Sequence, residues 1–459
     1  MSDDLSPLLG GEKHTPLITP TPDNRRRSTV APAGLTKRTW VVMVVALCVL
    51  LFVLLGSNLV STRAWNEVSD DCGAIARRML EGRAKRGEGE RQPVFIFKRD
   101  HHAFPPSIAQ QTVPAKPYGP DDNLCDPANL IPYFPSPDHW SVDPASISGV
   151  NITVHGVALG HLFITESDAR SVTLSTRFQV HNTIPSDIDI SGTIERTNGM
   201  FTLLVQASQS PADCVTADIY LDIPAGASKR LGLYVLATNY MDVRIGVNGR
   251  PVHLDYADVF TFSGDITVLE NLQAESSVDL TNFGGNIHLA KGIQATGSID
   301  CTIGGLGMVG GNLTVAGNMI AQNISLVAGS SANYGGITGQ VSVSAHRFSM
   351  ALYLGDIDLS IGWIRDKPKP SNIDGFFIYG DAKLQFRDAF LGTFMVSGGE
   401  AEVSGEDVHL EKGFPLPHFP GYPVVRVGHV GDGLGKQRLE FNGNSGSVYV
   451  DFGSGVRRT

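Results

Sequence analysis

Charge is scarce in this chain. Asp, Glu, Lys and Arg together make up 18% of its 459 residues. Solvated helices need charged faces, and between Val150 and Thr459 no amphipathic helical period of ten or more residues is found. Basic residues are scarcer still in that part. From Val150 onward 20 Lys and Arg stand against 30 Asp and Glu, whereas the residues before it hold 16 of each. A body of that sign repels phosphate backbones, which excludes nucleic acid as a partner. Catalytic signatures are missing too. No H-E-x-x-H, G-x-S-x-G or C-x-x-C occurs, so the common zinc protease, serine hydrolase and thioredoxin chemistries are excluded. His101 and His102 are adjacent and point apart on an extended chain, so they do not hold one metal ion together. No catalytic residue, cofactor site or metal site is expected.

One stretch lacks charge altogether. Trp40–Val60, WVVMVVALCVLLFVLLGSNLV, is long enough to cross a bilayer as a helix, at about 20 residues for a core of roughly 30 Å. A cleaved signal peptide would have a shorter apolar region nearer the N-terminus. Arg25, Arg26, Arg27, Lys37 and Arg38 precede the stretch, and only Arg63 follows closely. The positive-inside rule then puts the N-terminus in the cytosol and the rest outside it. The expectation is a single-pass, type II protein of the plasma membrane or of the vacuole or endosome.

Cysteines and sequons agree with that topology. Cys48 falls in the apolar stretch, and Cys72, Cys125, Cys214 and Cys301 follow it. Four cysteines in an oxidising compartment predict two disulfides. Of the three connectivities, chain order favours Cys72–Cys125 and Cys214–Cys301. Asn151 (NIT), Asn312 (NLT) and Asn323 (NIS) are candidate glycosylation acceptors on the same side.

Residues 1–39 are polar and rich in Pro, Ser and Thr, and are expected to be a disordered cytosolic tail. Within them Asp4–Leu9, DLSPLL, fits an acidic dileucine sorting peptide ending in Leu8-Leu9. Residues 61–145 are expected to be a stalk. Ten prolines between Pro105 and Pro144 stiffen it toward an extended chain. Arg83-Ala84-Lys85-Arg86 fits the preference of furin- and kexin-type proteases, although a solvated charge run is the commoner reading of such a stretch.

From about Ser146 to Thr459 the pattern alternates apolar and polar over four to eight residues, the mark of half-buried strands. The 51 glycines, with Asn, Asp and Ser, supply the turns. A five-residue unit recurs: GDITV (264–268), GNIHL (285–289), GNLTV (311–315) and GDIDL (355–359), with looser copies QNISL (322–326), GEAEV (399–403) and GSVYV (446–450). Spacings in the twenties are typical of solenoid turns. The apolar pair, two apart, faces a core. Gly suits positive φ or a close backbone approach, and Asn or Asp tolerates left-handed backbone. The predicted fold class is all-β: a β-solenoid or β-helix-like body of short repeated strands over 146–459, preceded by one transmembrane helix and a proline-rich stalk.

The run GDITVLENLQAESSVDLTNFGGNIHLAKGIQATGSIDCTIGGL resembles the family of repetitive β-strand domains provisionally named adhesins, in which segments like VDLTxxxGGNIxL succeed one another. The likeness covers about Ala217 to Val343. The order of tail, anchor, proline-rich stalk and repetitive body also resembles fungal membrane proteins of unknown function. The family brings no catalytic residue to carry over. The resemblance implies a membrane-anchored, adhesin-like interaction or structural module, whose partners would be the membrane and a cell-wall, polysaccharide or protein surface.

Gly305–Gly310, GLGMVG, satisfies G-x-G-x-x-G, but a dinucleotide site needs a helix after it and NLTV is a strand pattern. The overlapping calcium nonapeptide pattern has Val309 where an oxygen ligand must stand. The alternative function is a polysaccharide hydrolase or lyase on a β-helix scaffold, which needs two carboxyls roughly 5–10 Å apart. Asp265, Asp300, Asp356 and Asp358 are its candidates. Asp265 and Asp356, however, occupy the turn position that Asn286 and Asn312 fill equally well, which is turn chemistry.

Overall fold

A computed structural model describes residues 130–134, 138–181, 189–194, 199–207, 215–304, 310–330, 333–411 and 423–453. The tail, the apolar stretch, Arg83–Arg86, His101-His102, Cys72, Cys125, Cys214 and 305–309 lie outside them. Among the described residues the fold is all-β, the exception being a single 3-10 turn at Pro144–Ser146.

The strands stack in parallel into two main ladders, and a shorter third run, Val252–Leu254, Leu272–Ala274 and Ile293–Ala295, joins the end of Asn312–Ile320. In the first, Ile266–Val268, Ile287–Leu289, Asn312–Ile320, Gly335–Ser344, the second half of Arg347–Trp363 and Ala382–Phe386 follow one another in register. In the second, Ala257–Ser263, Val278–Asn282, Ser298–Ile303, Asn323–Ala328, the first half of Arg347–Trp363 and Asn372–Tyr379 do the same. Each turn of chain adds one rung to both. Like residues therefore stack on like: Val278, Ile299, Ile324, Phe348 and Ile373 form one column, and Ile266, Ile287, Leu313, Ile337 and Ile357 another. These columns belong to one hydrophobic core. Full burial of such a side chain is worth about 1.5–3 kcal/mol. The expected sides of the repeat are found. Ile287 and Leu289 are buried and His288 is exposed, and Ile357 and Leu359 are buried around an exposed Asp358.

The repeat's glycine and its Asn or Asp have a more specific cause than turn preference. A Cβ on Gly285 would lie 1.9 Å from the carbonyl O of Gly264, and one on Gly311 would lie 2.0 Å from that of Gly285. Gly355 and Gly380 repeat the relation, at 1.5 Å from Gly335 O and 1.6 Å from Gly355 O. The rungs approach so closely at this corner that only glycine fits. The second residue of the unit is not left-handed: among the described non-glycine residues only Asp366 has positive φ. Its side chain instead reaches the next rung. Asp265 Oδ1 accepts from Asn286 N–H at 2.8 Å, and Asn286 Oδ1 from Asn312 N–H at 2.9 Å. Asp356 Oδ1 accepts from Asp381 N–H at 2.9 Å, and Asp381 Oδ1 from Ser447 N–H at 2.8 Å. A carboxylate and an amide oxygen accept equally well here, which is why the two residue types interchange. Asn282, fully buried, closes the corner beside them. Its Nδ2 donates to Gly264 O at 2.6 Å and to Asn286 O at 3.2 Å, and its Oδ1 accepts from the N–H groups of Gly284 and Gly285.

Both ends of the stack are closed the same way. At one end Gly149–His155 lies between Gly232–Ile245 and Met200–Gln206, and Leu159–Ser167 lies between Gly232–Ile245 and Val215–Pro224. At the other, Gln437–Ser445 lies between Asn372–Tyr379 and Gly392–Gly398, and Ser447–Asp451 between Ala382–Phe386 and Glu400–Ser404. Antiparallel strands then cover the outer rungs: Val172–His181 and Asp189–Ile194 at one end, Val424–Val430 at the other. Exposed parallel edges invite pairing with other chains, and this arrangement removes most of them. Leu130–Tyr133 and His139–Val142 also pair with Val172–His181. These strands lie within the proline-rich region, upstream of where the alternating pattern becomes legible.

Candidate functional site

The outward face of the first ladder carries the densest set of interacting side chains. Tyr220 on Val215–Pro224, Phe163 on Leu159–Ser167 and Arg244 on Gly232–Ile245 are direct neighbours across three strands. Alternation sends them outward because Ile219, Leu221, Leu162, Ile164, Val243 and Ile245 are buried between them. The Phe163 and Tyr220 rings stack at 5.0 Å and 17°. Arg177 caps the Tyr220 face at 5.3 Å and Arg244 the Phe163 face at 5.9 Å. Such cation–π contacts are worth about 0.5–1 kcal/mol where exposed. Onward from Arg244 the same row runs through Thr267, His288, Thr314 and Thr338 to Asp358.

Two residues along the strands lies a row in which the carboxylates Asp218 and Asp242 alternate with Arg177 and His161. His161 Nδ1 donates to Asp218 Oδ1 at 2.9 Å, and its Nε2 stands 3.9 Å from Asp242 Oδ2. Asp218 is itself the register partner of Arg177, and Asp242 Oδ2 lies 3.9 Å from Arg244. Asp242 Oδ1 also accepts from Asp265 N–H at 2.9 Å, which starts the corner series described above. Burial, with the charges of Asp242 and Asp265, raises the Tyr240 phenol above its ordinary value. A second carboxylate–histidine pair, Glu166 and His253, is structural. Glu166 is only 5% exposed and accepts from the His253 N–H at 2.6 Å and from its Nδ1 at 3.0 Å.

The four carboxylates named for hydrolysis do not converge. Asp265 and Asp356 stand four rungs apart, about 19 Å at roughly 4.8 Å per rung, and both accept from backbone N–H groups. Asp300 is on the other ladder, stacked on Asp279. Asp358 lies between Thr338 and Lys383 on the outward face of the first ladder. Two open grooves, of about 450 and 290 Å³, lie on the surface, and none of the four lines either. Among the described residues no three His, Cys, Asp or Glu are grouped to hold a metal ion. The G-x-G-x-x-G run is followed by the strand Asn312–Ile320.

Cys301 is a free thiol, and Cys214, its expected partner, lies outside the described residues. Its side chain points into the core between Leu280 and Leu326 on the neighbouring rungs and is fully buried. Burial pushes the thiol far above its ordinary range, and the charges of Asp300 and Asp279 add to this. Asn312 is exposed at the start of its strand, and Asn323 is half-buried. Asn151 is half-buried on Gly149–His155, near one end of the second ladder, where Nδ2 donates to Thr202 Oγ1 at 3.4 Å.

No family model matches the sequence, and no curated protein matches it. Solved structures do. An adhesin, provisionally so named, from Parabacteroides distasonis ATCC 8503 aligns at 10% identity over 70% of this chain and 96% of its own, with a TM-score of 0.34. One of the same provisional name from Bacteroides fragilis NCTC 9343 aligns at 11% over 70% and 96%, with a TM-score of 0.28. A provisionally named lipid-binding protein, also from Parabacteroides distasonis, aligns at 10% over 70% and 96%, with a TM-score of 0.26. At these identities and scores the likeness assigns no function.

Proposed function

We propose that the chain is a single-pass, type II membrane protein whose body is a non-enzymatic, adhesin-like binding module on a β-solenoid. The body would be displayed at the cell surface or in the lumen of the vacuole or endosome. The solenoid reading is supported by the in-register parallel columns, which advance one turn of chain per rung in both ladders. The anchor and its orientation rest on Trp40–Val60 and its flanking charges. The binding reading is carried by the outward row from Arg177 through Tyr220 and Phe163 to Arg244, with Asp218, His161 and Asp242 beside it. The ring faces are occupied by each other and by the two guanidiniums. A ligand would meet ring edges, guanidinium donors and carboxylate acceptors on an open face. That suits an extended polysaccharide or a protein surface better than a small molecule needing an enclosed pocket.

The test is binding of the purified protein to arrayed cell-wall polysaccharides and surface proteins. Phe163→Ala and Arg244→Ala should each weaken capture roughly tenfold, about 1.4 kcal/mol, while Thr338→Ala leaves it unchanged. Capture unaffected by either substitution would remove the site. For topology, sealed microsomes should protect the body from added protease and show glycan on at least one of Asn151, Asn312 and Asn323. Digestion of the body would reverse the orientation.

A further inference from the structure

The hairpin at the edge of the second ladder brings two histidines together away from the surface just described. His409 on Val408–Leu410 and His429 on Val424–Val430 are direct antiparallel partners. Their rings stack at 5.0 Å and 29°. His409 is exposed and His429 half-buried. The next residue in the row, on Gly392–Gly398, is Thr393, so no cation stands beside the pair in that direction. Asp407 and Glu411 flank His409 two residues to either side, and the backbone pairing continues through both of them. The turn after His429 carries Gly433, whose Cβ, if present, would stand 3.7 Å from His429 Nε2. A side chain there would press on the His429 ring, and glycine avoids this.

Two imidazoles held side by side by a β pair are a chelating unit. Each neutral ring offers one nitrogen lone pair, and a divalent ion binds such nitrogens at about 2.0–2.1 Å. Small rotations about the side-chain bonds can turn a nitrogen of each ring toward a shared point. Among the described residues no third His, Cys, Asp or Glu completes a closed site, and water can fill the remaining positions. Imidazole suits zinc, copper and nickel, whereas calcium and magnesium demand oxygen.

We infer that His409 and His429 form a two-ligand surface site for a divalent transition-metal ion of the zinc–nickel–copper class. The ion would staple the shortest strand of the terminal hairpin, three residues long, to its partner. The inference is independent of the binding reading given above.

Zinc titration of the full chain tests it. The unaltered protein should show a site lost in both His409→Gln and His429→Gln, each weakening binding by at least roughly tenfold. His288→Gln, at a solitary exposed histidine, should leave it intact. Zinc should slow hydrogen exchange at the Glu411 and Gly431 amides, which pair across this hairpin, in the unaltered chain and in neither variant. A readout without substitution is carbethoxylation of the unaltered chain: zinc should shield His409 and His429 and not His288. Equal labelling with and without zinc, binding unchanged in either variant, or exchange that zinc does not slow would each overturn the site.

Discussion

Replacing Gly285 by Ala puts one methyl group into the closest approach between rungs. Its Cβ would stand 1.9 Å from Gly264 O, 2.6 Å from Gly264 C and 2.8 Å from Asn282 Nδ2. Real Cβ contacts stay beyond about 3.0 Å, so the rungs must part by about 1 Å at this corner. The obstacle is backbone, which cannot swing aside. Forcing extra bulk into a packed site costs about 1–3 kcal/mol. The parting also stretches the Asn282 Nδ2 to Gly264 O hydrogen bond, now 2.6 Å and buried, and leaving such groups unpaired costs a further 1–3 kcal/mol or so. The sum is about 2–6 kcal/mol. Gly226 is the control, since a Cβ there meets nothing within 4 Å; Gly226→Ala should change stability by less than about 0.5 kcal/mol. Denaturant unfolding of the purified protein, followed by circular dichroism, reads both. If Gly285→Ala unfolds at the same midpoint as the parent, the close-approach account of the repeat glycine is wrong.

Ile287→Asp buries a charge between Ile266 and Leu313 and should cost about 3–5 kcal/mol, whereas His288→Asp on the solvent side should stay within about 0.5 kcal/mol; reversed melting behaviour would invert the register. Asn282→Asp sets a carboxylate against the two carbonyls that the amide now serves. Its folded pKa should lie above the unfolded value of about 3.9, so the unfolded state releases its proton first as pH rises. Stability should then fall as pH climbs from that value through the folded one, and a melt of this variant relative to the parent that does not move with pH would refute it. Cys301 should resist maleimide in the native protein even at mildly alkaline pH and react on unfolding, because burial holds it as the neutral thiol; peptide mapping that shows native labelling would contradict the core placement.

Much of the fold was legible because the relevant signals are local. The triplets ITV, IHL, LTV and IDL each state an inward–outward–inward strand within three residues. The rung Gly335–Gly339, GGITG, is not legible as a copy of the unit because Gly336 replaces the acceptor residue and Gly339 the second apolar one, though Gly335 and Ile337 keep their places in the columns. QNISL has the right pattern but belongs to the second ladder, where it stacks on Ser298–Ile303. Period alone does not say which face of a turn a strand serves. The aromatic and charged surface could not be read at all. His161 and Asp218 are 57 residues apart and meet only because Leu159–Ser167 is inserted beside Val215–Pro224. The His409–His429 pair likewise depends on one hairpin register. Neither arrangement leaves a period, a spacing or a composition in the sequence.

The insertion of Gln437–Ser445 between Asn372–Tyr379 and Gly392–Gly398 sets a timetable for synthesis. A simple stack can add each rung as it emerges. Here Gly392–Gly398 and Glu400–Ser404 leave the ribosome before the strands that must separate them from the rungs below. Until residues up to Asp451 follow, Asn372–Tyr379 presents a bare parallel edge and its future outer neighbour waits without a seat. About 70 residues separate the two events, on the order of 4–14 s at 5–20 residues per second. A nascent body would need protection from strand pairing during that interval. A stop codon just before Gln437 would make the interval permanent. Such a product keeps most of its rungs yet should aggregate more readily than one cut cleanly after Phe386, which loses more residues but strands no orphan strand pair.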